Sequence, residues 1–563
     1  MSIWVDVKTR AQGASVSQSS IEPEQFQGAR KWRLCLQVAA IGLSLGLSSA
    51  PTETAAEPSV LRFGIDAADL GTGDPHRAAS RNDRAVVDMI FNGLLRYKPG
   101  EAPSIEPDLA IEIPDPVVVD GKQVWTFKLR SDVMCHPGPR TAAYRMTADD
   151  VVYSLRRAAD PARSAYAGDY RGMAVERAGE FTVKVILETP LSSILFFPKV
   201  ADYAGGFIVC GRAVEAVGDQ GFAMHPVGTG PFQFQAHEAG KRVRLLANEN
   251  YFRGRPLLDG IDVNFLPTFA ERDAALRGGK LDVIFGSEKA DWFEAIKDNK
   301  SVHVDVFGVG QVITMHFNTS KKPLDDRRVR KALAYAVDRE TFRALFAEGV
   351  VENVYSPVPA AFLPGGLTRQ EVVRLGLDYS YDLAKAKALL AEAGYSDGFS
   401  LKLVTSERGH YLANYESLRA QLAPLGIDIE LEVVAHRKMH KRIRQDENPI
   451  VIYVAWRPNA DVFLTRFFHS DSIVMSGRSP DTNFSHYGEI DRLIEMARTT
   501  RKPASQVRFW KQAQVKLLDD AVAYPLHYVN LVYARRTNVD YGHALKAAMA
   551  LYPQFTEKTR LAN

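Results

Sequence analysis

Two hydrophobic periods alternate along this chain and mark out strands and helices in turn. Residues 124–130 (VWTFKLR) place Trp125, Phe127 and Leu129 on one face, and residues 181–187 alternate in the same way. Residues 427–433 set Ile427, Ile429, Leu431 and Val433 against Asp428, Glu430 and Glu432. A period of two predicts half-buried strands. Residues 449–456 (PIVIYVAW) are almost wholly apolar, which predicts an interior strand.

Elsewhere the period is helical. Val329, Ala332, Leu333, Ala336 and Val337 recur at i, i+3, i+4, i+7 and i+8. They follow a β-rich run, 312–317, and a polar turn, 318–323, with Asp325 placed as N-cap and Asp326 as a first-turn charge. Residues 147–150 (TADD) approximate a capping box ahead of Val151, Val152 and Leu155. Asp382 caps a helix whose apolar positions are Leu383, Ala386, Leu389, Leu390 and Ala393, with Gly394 ending it. Further helices are predicted over 83–91, 271–278, 411–422 and 509–521, and strands over 61–65, 261–265, 281–285 and 524–533. Strands and helices interleave throughout, so the class is α/β or α+β.

At 563 residues the chain exceeds what one hydrophobic core organises, and two or more lobes are expected. Arg30, Lys31 and Arg33 precede an apolar run, 34–47, of the length of a signal-peptide core and too short to span a bilayer comfortably. Cleavage is expected near Ala56, leaving residues 1–56 as leader; an uncleaved anchor or a short buried helix is the alternative. The basic region before the apolar run is long for a signal peptide, which points to a true start downstream of Met1. Cys35 falls in this leader without a lipoprotein box. Cys135 and Cys210 then form an even pair in an oxidising compartment, expected to be bridged, with two separate buried thiols as the alternative.

A net charge of +3 with both signs interspersed argues against nucleic acid as a partner. The only G-x-S-x-G, residues 42–46, lies inside the apolar leader, where no strand and helix can present a nucleophile. Residues 71–73 (GTG) lack the following Gly-Lys-Ser/Thr of a phosphate loop. His436 and His440 stand at i, i+4, but Arg437, Lys438, Lys441 and Arg442 surround them, so a solvated basic face is expected and no metal is assigned. Asp149–Asp150 and Asp325–Asp326 are explained as helix-capping residues. No catalytic constellation and no cofactor is expected, which favours a binding protein over an enzyme.

Seven segments in order carry a specific resemblance: 124–133 with 147–157, 225–232 (HPVGTGPF), 248–261 (NENYFRGRPLLDGI), 315–339, 381–395 (YDLAKAKALLAEAGY), 422–431 (LAPLGIDIEL) and 523–528 (AYPLHY). Their order over 61–533 is similar to that of extracytoplasmic solute-binding proteins, family 5, which serve peptide- and nickel-type ABC importers. The resemblance implies an α/β, two-lobed Venus-flytrap fold with hinge crossings: a large first lobe over 57–307, a second over 308–526, and a segment 527–563 returning to the first. It implies capture of a peptide-like or other small organic solute between the lobes by a monomer. Delivery would be to a permease and ATPase complex in the inner membrane of a Gram-negative cell. A receptor docking on a membrane sensor is the alternative role, and a secreted hydrolase a third.

The resemblance also places site residues. Peptide-binding relatives carry an acidic residue three positions past a Trp that ends an interior strand. Here the Trp is Trp456 and the matching residue is Asn459, which supplies no charge; Asp461 is the substitute, and Arg457 suits a carboxylate. The loop from Asp66 to Asp74 is expected to face the cleft, Tyr528 to reach it from the hinge side, and His316 and Asn318 to border it.

Overall fold

Two long antiparallel strands, Val302–Phe317 and Ala523–Arg536, hold the centre of the largest sheet. Ala523–Arg536 is buried over its first twelve residues, which accounts for its apolar reading. Beside it, in order, lie Val283–Phe285, Val60–Ile65, Gly260–Phe265, Arg242–Ala247 and Phe232–Glu238. Ile450–Ala455 pairs along the other flank of Val302–Phe317, and Val351–Glu352 adds a short ninth strand on Ala523–Arg536. This computed structural model describes residues 58–562; the expected leader and cleavage site, Cys35 and the G-x-S-x-G lie outside the described residues.

The expected interior strand at 449–456 is instead the last strand of that sheet, paired on one side only. Its apolar run reports covered faces rather than two neighbours, and the backbone N–H of Ile452 donates to the Tyr415 hydroxyl at 3.0 Å. A buried N–H left without a partner would cost roughly 1–3 kcal/mol, and this hydroxyl satisfies one such donor on the open edge.

The ladder between the two long strands is interrupted between Phe307 and Gln311. Gly310 approaches so closely that a Cβ there would overlap the Val529 carbonyl, and its N–H donates to the Tyr528 hydroxyl. The Phe362 ring stacks on Tyr528 with centroids 5.0 Å apart. The 307/308 boundary read from the sequence therefore falls inside one strand, at its register break.

Around this sheet the local predictions hold with small shifts. Thr147 and Asp150 form a complete capping box at the start of Ala148–Ala158. Asp382 caps Leu383–Glu392 through Lys385. Asp326, not Asp325, caps Arg327–Ala336: its carboxylate accepts from the Arg328 N–H, while the Asp325 N–H is held back by the Lys321 carbonyl in the preceding turn. Trp125 and Phe127 face inward from a separate four-stranded sheet, with Trp125 stacked on Phe196 at 4.6 Å. Ile427 and Ile429 are buried, but Val433 is 48% exposed because the strand Ile427–Val434 outruns the layer that covers it. Cys135 and Cys210 are joined in a buried disulfide with Cα atoms 6.1 Å apart, tying the Met134–Cys135 strand to the start of helix Gly211–Met224.

Candidate functional site

The C-terminal end of Ile450–Ala455 opens into a cavity of about 800 Å³, within the size range of small-molecule sites. One wall is the segment Trp456–Asp461 with Arg466 and Arg498; the other comes from two stretches of the first half of the chain, 165–173 and 187–204. Tyr203 meets Trp456 across it, with ring centroids 5.9 Å apart. The Tyr203 hydroxyl accepts from Arg84 at 2.8 Å, which holds the ring in place.

The polar groups of the Trp456 side are unevenly satisfied. Asn459 is the N-cap of helix Ala460–Phe468, its side-chain oxygen accepting from the Val462 N–H at 3.0 Å. The family position that is acidic in peptide-binding relatives thus serves a helix end here. Asp461 sits in the first turn of that helix and approaches Arg498, Oδ2 to Nε 3.4 Å, while its Oδ1 is buried without a hydrogen-bond partner. Burial raises its pKa, against the opposing pull of Arg498.

Arg457 donates from Nη1 to the Trp456 carbonyl at 2.8 Å and lies 5.0 Å from the centre of the Phe467 ring. No carboxylate among the described residues comes within salt-bridge distance of it, and its Nε is buried and unpartnered. Burial lowers the pKa of the guanidinium, with neighbouring Arg466 adding to the effect. The Trp456 indole N–H is likewise buried and unpartnered. A buried polar atom without a partner is rare, and this wall holds two such donors, Trp456 Nε1 and Arg457 Nε, and one such acceptor, Asp461 Oδ1.

Charge across the lining is positive: Arg171, Lys199, Arg457, Arg466 and Arg498 against Asp169, Glu188 and Asp461. Lys199 donates to the Asp169 carbonyl at 2.5 Å, and burial lowers its pKa. Lys199, Tyr203 and Asp169 carried no local signal, because they lie in short 3₁₀ turns, Ala167–Tyr170, Phe197–Lys199 and Ala204–Gly206, or beside them.

The remaining predicted residues are placed away from the cavity. Asp74 is fully buried, and its carboxylate takes both Arg157 Nη atoms, at 3.0 and 2.5 Å, so a neighbouring guanidinium uses the charge the cleft was expected to receive. Asp66 pairs with Arg81 at 2.9 Å, and Arg81 lies over Phe285. His316 is 2% exposed among the rings of Phe467, Phe468 and Phe484, a core histidine whose pKa burial pushes down to about 3. Asn318 donates to Asp446 at 2.8 Å and accepts from Ser320, which closes the turn. Tyr528 is held at the register break between Gly310 and Phe362.

Among the described residues no group of three or more His, Cys, Asp or Glu side chains converges as a metal site, and no helix is long and apolar enough to cross a membrane. Residues 104–474 match the family described as bacterial extracellular solute-binding proteins, family 5 Middle. The solved structure of MoaA from A. tumefaciens R10, in complex with mannopinic acid, is 37% identical, with a TM-score of 0.72 over 90% of this chain and 100% of that one. Heme-binding protein A of Haemophilus influenzae is 29% identical over 473 residues, 78% of this chain and 82% of that protein. The dipeptide-binding protein of Escherichia coli K12 is 29% identical over 462 residues, 77% of this chain and 82% of that protein. The cavity between two walls drawn from distant parts of the chain is the expected place of a captured solute, and the chain belongs to the bacterial extracellular solute-binding proteins, family 5, with their two-lobed fold.

Proposed function

We propose that this protein is the periplasmic substrate-binding subunit of an ABC importer, and that its solute is a small organic acid carrying hydrogen-bond donors. The unpaired Arg457 carries the reading. A guanidinium that is buried, lacks a carboxylate and lines a cavity is an anion site, since bidentate pairing with a carboxylate repays its loss of water. Asp461 Oδ1 would accept from an N–H or O–H of the same solute, and Trp456 and Tyr203 would cover its apolar part. The relative of 37% identity holds mannopinic acid, an acid, which agrees with this choice over an uncharged solute.

Residues 57–307 with 527–563 would form one lobe and 308–526 the other, hinged at the register break near Gly310. Binding would be reversible and stoichiometric, to a monomer, with closure driven by contacts to both walls. Native mass spectrometry of protein taken from the periplasm, followed by thermal-shift screening of amino-acid-derived and sugar-derived acids, tests this. One acid should raise the melting temperature and compact the protein in X-ray scattering. If only uncharged or cationic solutes do so, the acid assignment is wrong.

A further inference from the structure

The helix His436–Arg444 carries two imidazoles that the solute cavity does not use. The Nε2 atoms of His436 and His440 face each other at 3.1 Å, with ring planes 83° apart. Two imidazoles on one tetrahedral zinc, each about 2.0–2.1 Å from the ion, hold their nitrogens about 3.3–3.4 Å apart. The observed spacing is about 0.2–0.3 Å short of that, so a two-histidine chelate needs the nitrogens to part slightly and the rings to turn until both lone pairs converge on the ion.

The groups around the pair favour that geometry. His436 Nδ1 lies 3.1 Å from Ser406 Oγ, and Ser406 in turn donates to Glu407 Oε2 at 3.0 Å. A proton on Nδ1 directed at Ser406 leaves the Nε2 lone pair aimed at His440, the outer-shell arrangement that orients metal-bound histidines. The rings of Tyr411 and Tyr453 pack on His440 at 6.0 and 5.7 Å and fix its orientation.

The basic residues of the helix do not all oppose an ion. At about 100° per residue, Lys438 and Lys441 leave the helix at least about 100° from both histidines. Arg442 is already paired with Glu432 and Glu447. Arg444, with Nη1 3.4 Å from His440 Nδ1, and Arg408, whose charge acts on both rings, are the direct opponents, and Arg437 leaves the helix about 60° from His440.

We infer that His436 and His440 form a binding site for a divalent first-row transition ion, of the Zn²⁺, Cu²⁺ or Ni²⁺ class, with water in the remaining positions. On binding, the His440 proton moves from Nε2 to Nδ1 through solvent, no net proton is released, and Arg444 turns away. Two protein ligands and nearby positive charge imply micromolar rather than tighter affinity, with Cu²⁺ binding best.

The test is calorimetric titration of tag-free protein with ZnCl₂ and CuCl₂ in a non-chelating buffer at pH 7. One ion per chain should bind, and His436→Ala and His440→Ala should each weaken it by at least about tenfold. His225→Ala, at an exposed histidine elsewhere, should leave it unchanged. Circular dichroism establishes that the variants are folded. Imidazole ¹⁵N spectra of the native protein with Zn²⁺ give a measurement free of mutation, in which the Nε2 resonances of both rings should move together. Absence of saturable binding below about 1 mM metal, or equal affinity in the doubly substituted protein, overturns the site.

Discussion

Asp461 approaches Arg498, and not Arg457 four residues before it, so the guanidinium beside Trp456 is left without an acidic partner. Under the proposed function, that choice makes the Trp456 side of the cavity the place where an anionic group would bind.

Arg457→Ala should therefore weaken an acidic solute by roughly 10–100-fold, the worth of one hydrogen bond to a charged group. Calorimetry with the solute identified by mass spectrometry measures it. Unchanged affinity would remove Arg457 from the site. Asp461→Asn should weaken solutes that donate to Oδ1 and leave others near their original affinity.

Asp74 and Arg157 form a fully buried pair, and Asp219 is a second, part-exposed partner of the same guanidinium at 3.0 Å. Asp74→Ala leaves Arg157 with Asp219 and should cost about 1–3 kcal/mol in a denaturant titration. Solute affinity of the folded fraction should be unchanged, because neither residue lines the cavity. A loss of affinity with stability preserved would return Asp74 to the cleft.

Stability should fall as pH is lowered below about 6.5. His316 and His527 are buried, and burial depresses both to about 3. Between the unfolded value near 6.5 and the folded value, the unfolded chain binds more protons, so the stability these neutral rings allow is whole above that window and lost as pH falls through it. Each contributes a slope of about 1.4 kcal/mol per pH unit there. His316→Leu should flatten the curve between pH 6 and about 4 by one such slope. An unchanged slope would mean that the ring is already reached by water.

The Cys135–Cys210 disulfide closes a loop with a sequence separation of 75. Replacing both residues by Ala should lower stability on the order of 4 kcal/mol through the freed unfolded chain. Chemical denaturation with and without reductant measures the effect, and the native protein under reductant should approach the double variant.

Short-range features were legible in the residues themselves. The Thr147–Asp150 capping box, the Asp382 cap and the stripe from Val329 to Val337 depend on groups within about four positions of one another, so local spacing carries them. The cap at 325–326 was displaced by one residue because the Lys321 carbonyl, one turn earlier, takes the Asp325 N–H. The Trp456–Asp461 wall was found through family likeness, since its residues are contiguous.

What a side chain does once placed was another matter. Asp74 is neutralised by Arg157, 83 positions away, His316 is enclosed by Phe467, Phe468 and Phe484, and Asn318 is taken by Asp446 at a separation of 128. Asp461 chooses Arg498 over its own neighbour, and Lys199 and Tyr203 reach the cavity from turns without periodicity. Periodicity and capping are interactions of the backbone with its near neighbours and are written along the chain. Whether a charge is free for a solute depends on which distant partner packing brings within about 4 Å, and only the folded arrangement decides that.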